Sequence, residues 1–264
     1  MNDIFIIKLI LSFLLGGAWV VTATQFADRY GTKIGGVIAG LPSTALLSLF
    51  FIGWTQSPQV SVEATTIIPA IGAVDALFLL VYITIARKYF WLALGTSLLV
   101  WGLLSSLFVL MDFRNFALSI AIYVMVVLLS FLLIEKGIKV KSVRPVLVRS
   151  TARTLLFRGS FSGAIIVLAV ILGKISGPLL GGMFAMFPSM FTGTLLITYF
   201  SQGPLFSSAT MKVALLSASS VVLYAILVRF TYVPLGLLLG TLVSILVSFT
   251  YAFIIHILLL KKIS

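Results

Sequence analysis

Long apolar runs separated by brief polar clusters set the pattern of this chain. A membrane helix needs about 20 largely apolar residues to cross the hydrocarbon core, and the runs meet that length repeatedly. They predict nine spans, near residues 4–24, 34–55, 63–86, 90–111, 115–135, 159–175, 179–200, 206–228 and 232–259. The polar breaks are compact: Gln25 to Tyr30, Gln56-Ser57-Pro58, Arg87-Lys88, and Asp112 with Arg114. The one longer interruption, 136–158, is a basic connector. The last run is long enough to tilt, or to bend at Pro234. The first run lacks a basic leader, with Asp3 before it, and is expected to be a mature helix rather than a signal peptide. The pattern therefore predicts an all-α polytopic membrane protein.

Two of the runs are copies. Residues 35–58 read GGVIAGLPSTALLSLFFIGWTQSP and residues 181–204 read GGMFAMFPSMFTGTLLITYFSQGP, with eight of 24 positions identical at a constant offset of 146. Apolar helices resemble one another by composition, but paired Gly-Gly, Pro-Ser and Gln-x-Pro elements in register do not arise that way. The offset extends upstream through Gly17/Gly163, Ala18/Ala164 and Gly31/Gly177. The unit is four helices, spans one to four and six to nine, with span five unmatched. Three segments follow: 1–112 as the first repeat, 113–158 as a linker helix plus connector, and 159–264 as the second repeat. A single helix between two even-numbered copies inverts the second, giving a 4+1+4 plan of the kind found in secondary transporters.

Composition closes off the soluble alternatives. Hydrophobic residues make up 61% of the 264 and charged residues 9%, with a mean hydropathy of +1.25; soluble domains carry roughly a quarter charged residues. The net charge of +12 is explained by cytoplasmic loops rather than by nucleic acid. Thirteen Lys and Arg fall on one side: Arg29, Lys33, Arg87, Lys88, seven in the connector, Lys261 and Lys262. Three fall on the other: Arg114, Lys174 and Arg229. The expected orientation is N-terminus outside and C-terminus cytoplasmic, in a prokaryotic inner membrane. Lys212 is expected to snorkel to the cytoplasmic surface and His256 to be interfacial. There is no cysteine, no metal-ligand cluster, and no catalytic or nucleotide-binding motif, so neither an enzyme nor a cofactor is expected.

Candidate chemistry lies in the apolar runs. Pro42 cannot donate to the carbonyl of Ile38, nor Pro188 to that of Phe184. In lipid such a carbonyl must be satisfied by neighbours, water or an ion. Ser43, Thr44, Ser189 and Thr192 stand beside the breaks, and interrupted helices at corresponding positions point to a transporter's central site. Asp75 places a carboxyl near the bilayer centre, at a cost of about 2.5–3.5 kcal/mol on insertion scales. Desolvation disfavours its charged form, so a bound proton or cation is expected there. The second copy has Val221 at the equivalent position. Kinked helices and a hydrogen-bonded acid would account for the same residues without any ligand.

The segments Ile38 to Leu46 and Ser61 to Thr66 resemble the GlpM-like small bacterial membrane proteins, which carry a similar I-A-G…P-x-x-A-L stretch and an S-V-E-like helix opening. The resemblance covers about residues 10–105 and reaches the second half through the repeat. It implies a single unit of about four spans, here fused in tandem, and a loose association with polysaccharide production. Two expectations follow. One is a secondary carrier of a small solute, proton- or cation-coupled, with Asp75, Pro42, Ser43, Thr44, Pro188, Ser189 and Thr192 along its pathway. The other is a non-transporting scaffold or accessory protein for envelope or polysaccharide synthesis.

Overall fold

Proline or glycine stands at many of the breaks between these helices. The computed structural model describes residues 3–39, 41–140 and 151–260, and the elements among them are helical. They are α1 (Asp3–Ala39), α2 (Ser43–Thr55), α3 (Pro58–Ala64), α4 (Ile68–Ile85), α5 (Phe90–Leu110), α6 (Phe116–Leu132) with a π-helical extension Leu133–Ile138, α7 (Ala152–Ile175), α8 (Pro178–Ala185), α9 (Ser189–Gln202), α10 (Pro204–Ser217) and α11 (Ser219–Leu260). Much of the basic connector, residues 141–150, lies outside the described residues, as do Gly40, Lys261 and Lys262 and the side chains of Arg29, Lys33 and His256.

Seven segments among the described residues are long and apolar enough to cross a membrane, and Ser43–Thr55 is a shorter apolar helix. One of the seven, Pro204–Ile255, is interrupted at Gly236, whose φ of 73° follows Pro234 and divides α11 into two arms. The outward faces of α5, α6 and the second arm of α11 are rich in exposed leucine, including Leu103, Leu110, Leu128, Leu238 and Leu246. A surface of that kind belongs against lipid. The buried interior centres on α4 and on α8 with α9.

The expected loop at 25–33 is absent, because α1 continues through it to Ala39. The second copy does break there: α7 ends at Ile175, Gly177 takes a φ of 95°, and Pro178 opens α8. Pro178 is well suited to a first helical position, where its missing N–H costs nothing. The first copy has Thr32 in its place, so nothing forces a stop before Pro42.

Two helix starts keep the spacing of 146: Ser43 with Ser189, and Pro58 with Pro204. The start of α5 at Phe90 corresponds to Gly236, where α11 bends. The equivalent helices α1 and α7 cross antiparallel. Phe5 lies under Lys174 at 3.6 Å. Further along, a Cβ on Gly17 would fall 2.9 Å from the carbonyl oxygen of Gly159, and one on Gly163 would fall 2.7 Å from that of Phe13. Phe13 and Gly159 are themselves equivalent positions, so the crossing is reciprocal, as in a two-fold contact. Small residues allow the backbones to come this close.

The helix without a counterpart does more than connect. Ser119 of α6 accepts a hydrogen bond from the Ala70 amide at 2.8 Å, which caps α4 where the chain has broken between Ala64 and Ile68. Arg229 of α11 donates to the carbonyl of Val62 at 3.4 Å and to Thr66 Oγ1 at 3.1 Å, on the other side of the same break. Lys212 is buried, not snorkelling at a rim. Its ammonium pairs with Glu135 in the π-helical turn and donates to the Val140 carbonyl at 3.1 Å.

Candidate functional site

Both proline breaks have the same local geometry. Pro42 adopts φ −72°, ψ 37° and Pro188 φ −75°, ψ 46°. Each centres a tight turn in which the next amide bonds the preceding carbonyl: Ser43 N to Leu41 O and Ser189 N to Phe187 O, both 2.7 Å. Such i to i+2 bonds define inverse γ-turns. Each proline carbonyl then receives the first bond of the new helix, from Leu46 N at 2.7 Å and Thr192 N at 2.8 Å. The first-turn amides of α2 and α9 have no helical partner of their own, and they carry the positive end of each helix dipole.

The two breaks meet. Thr44 Oγ1 and Ser189 Oγ lie 3.1 Å apart. Beside them is a cavity of about 40 Å³ bounded by Leu41, Pro42, Thr44, Asp75, Pro188 and Val221, with Phe191 and Met186 among its other walls. A water needs roughly 10–15 Å³ of such space, so the cavity holds a small ion or a few waters. Asp75 and Val221, equivalent positions of the two copies, line this one cavity.

Asp75 is 5% exposed. Its Oδ1 accepts a hydrogen bond from Trp101 Nε1 at 2.9 Å. The indole is held edge-on by Phe187 at a centroid distance of 5.0 Å, so the acid is tied through α5 to the residue just before Pro188. Tyr123 of α6 packs its ring against Gly72, one turn from Asp75, where a Cβ would approach it to 3.1 Å.

Of the residues singled out from sequence, Pro42, Thr44, Asp75 and Pro188 line the cavity. Ser189 bonds its rim through Thr44. Ser43 and Thr192 are buried away from its walls, and their hydroxyls have no hydrogen-bond partner among the described residues. Gly182 presses its backbone against the Ala64 carbonyl, bringing α8 onto the α3–α4 break; the side-chain surroundings of Gly35, Gly36 and Ala39 lie outside the described residues.

Sequence reading missed Trp101 and Arg158. Trp101 is one tryptophan in an apolar run, and nothing in its spacing names Asp75 as its partner. Arg158 stands at the end of the basic connector, where it reads as a loop charge. It is buried at 8% exposure, donating to Thr194 Oγ1 at 3.0 Å. Its one local signal is the small-residue run Gly159, Ser160, Ser162 and Gly163 immediately after it. Among the described residues no three His, Cys, Asp or Glu side chains gather as a metal site.

Residues 9–114 are similar to the family described as "Protein of unknown function (DUF3147)". The match includes Pro42, Asp75 and Trp101, ends just before α6, and falls on the stretch that carries the GlpM-like resemblance without testing it. No curated protein and no solved structure matches the chain.

Proposed function

We propose that this protein is a secondary carrier of a small solute, with its central site in the cavity between Pro42 and Pro188 and with Asp75 as the proton- or cation-binding group. One observation carries the reading: two helices broken at equivalent prolines, and the one acid of an apolar helix, bound the same small cavity. Discontinuous helices meeting at a repeat interface are the usual construction of such sites, and an intramembrane acid is functional by default.

The reading includes nine spans in a 4+1+4 plan with inverted repeats, the N-terminus outside and the C-terminus in the cytoplasm. The antiparallel, reciprocal crossing of α1 and α7 supports inversion, and the excess of Lys and Arg on one side supports the orientation. The four-helix unit as a GlpM-like module belongs to the same proposal.

The test uses the absence of native thiols. Thr44→Cys and Ser189→Cys, introduced singly and treated with a water-soluble thiol reagent, are expected to be modified, because a carrier's central site must open to water in some part of its cycle. Protection of both positions at all times would mean that the breaks are packing devices, as in a scaffold protein.

A further inference from the structure

The cavity wall carries sulfur as well as oxygen. Met186 and Met190 flank the break at Pro188, one on each side of it. Both are buried, and both line the cavity that Asp75 and Thr44 share. At the offset of 146 their equivalents are Gly40 and Thr44. The first copy thus brings an acid and a hydroxyl to the wall, and the second brings two thioethers. α8 ends at Ala185 on the same wall. The last carbonyls of a helix and the negative end of its dipole therefore arrive there, opposing the positive ends of α2 and α9. Trp101 holds Asp75 through Oδ1, and among the described residues no hydrogen bond reaches Oδ2.

Hard cations ask for more oxygen than this wall offers. Calcium takes about six to eight oxygen ligands, and magnesium keeps an octahedral shell with several of its waters. Asp75 and Thr44 are the polar side chains among the lining residues, and the volume of about 40 Å³ is too small for a full shell of water. A thioether is a soft ligand and selects soft metals, copper(I) foremost. A monovalent ion would also balance the single charge of an ionised Asp75, leaving no net charge in a low-dielectric interior. We propose that the cavity is a site for a soft monovalent metal ion, copper(I) by its chemistry, bound by the thioethers of Met186 and Met190 and the carboxylate of Asp75. The proposal rests on the carrier reading and deepens it by naming the cation.

Silver(I) is the probe, being soft, monovalent and stable in air. The full chain in phosphatidylcholine nanodiscs and chloride-free buffer, titrated calorimetrically with silver nitrate, is expected to show saturable binding. Met186→Leu and Met190→Leu conserve side-chain volume, so methionines that only fill space could be exchanged without effect. Each exchange should instead weaken binding about tenfold or more, as should Asp75→Asn, since loss of even a supporting group costs about 10–100-fold in metal affinity. Met111→Leu with Met125→Leu, which removes the exposed thioethers among the described residues, should leave binding unchanged. If the Met186 or Met190 variants do not fold, silver K-edge absorption of the loaded Met111→Leu, Met125→Leu protein decides. Sulfur in the first shell is the expected result, and oxygen or nitrogen alone overturns the proposal. No saturable binding overturns it, and so does binding that survives Met186→Leu and Met190→Leu together. Stabilisation by sodium that needs Asp75 and neither methionine overturns it in favour of a hard cation. In each of these cases modification of Thr44→Cys and Ser189→Cys leaves the carrier reading standing, whereas protection of both overturns both.

Discussion

Thr44 and Ser189, 145 residues apart, share a hydrogen bond of 3.1 Å at the point where two half-helices begin. Each sits in the first turn after an inverse γ-turn on proline, so the bond joins two copies of one structural device.

The aspartate and its indole partner should be energetically coupled. Removing one member of a buried hydrogen-bonded pair and leaving the other unsatisfied costs about 1–3 kcal/mol. In a double-mutant cycle of Asp75→Leu and Trp101→Phe, thermal stability in detergent should be non-additive by about 0.5–3 kcal/mol. Asp75→Asn keeps an acceptor oxygen and should lose much less. Additive losses would show that the 2.9 Å contact contributes nothing.

The glycine crossing predicts which small residues tolerate a methyl group. Gly163→Ala and Gly17→Ala push Cβ atoms into opposing backbone and should cost about 1–3 kcal/mol each. Gly95→Ala and Gly102→Ala meet nothing within 4 Å, and should be neutral or stabilising by up to about 1 kcal/mol. Fluorescence-detected size-exclusion melting would rank the four variants, and equal rankings would refute the crossing.

Ser119→Ala should destabilise by about 0.5–2 kcal/mol, the usual worth of an N-cap bond, with Ser119→Thr retaining part of it. If span five were only a connector, the alanine variant would melt like the parent.

The pair Lys212 and Glu135 is unequal, with side-chain exposures of 7% and 43%. Glu135→Leu strands a buried ammonium, while Lys212→Met leaves a carboxylate that water can reach. The glutamate variant should therefore be the less stable by roughly 1–3 kcal/mol, below the cost for a fully buried pair. The reverse order in a melting series would contradict this arrangement.

Inversion has its own measurement. Reporters of sidedness placed at the equivalent positions Gln56 and Gln202 should fall on opposite faces of the membrane. The same face for both would exclude inverted copies.

The sequence showed its breaks and its acid because both depart from what lipid tolerates: a proline inside an apolar run, or a carboxyl with no water near it. Repetition at one spacing links Pro42 with Pro188 within the sequence itself. What it could not show were partners. Trp101 bonds Asp75 because α5 lies against α4, and apolar periodicity does not choose neighbours. Arg158 and Lys212 read as loop or rim charges because long basic side chains favour membrane ends. Whether such a residue turns inward depends on the carbonyl, hydroxyl or carboxylate waiting there. The loop expected at 25–33 is absent for a related reason: polar residues can occupy a continuing helix, whereas a backbone that cannot continue, as at Gly177-Pro178, ends one.

Val221 stands where a second acid would be, so among the described residues Asp75 is the one ionisable side chain on the cavity wall. Under the carrier reading this fixes a stoichiometry: no more than one proton per cycle can ride in that cavity. Each unit of pH difference across the membrane would then contribute about 1.4 kcal/mol, or tenfold, to accumulation.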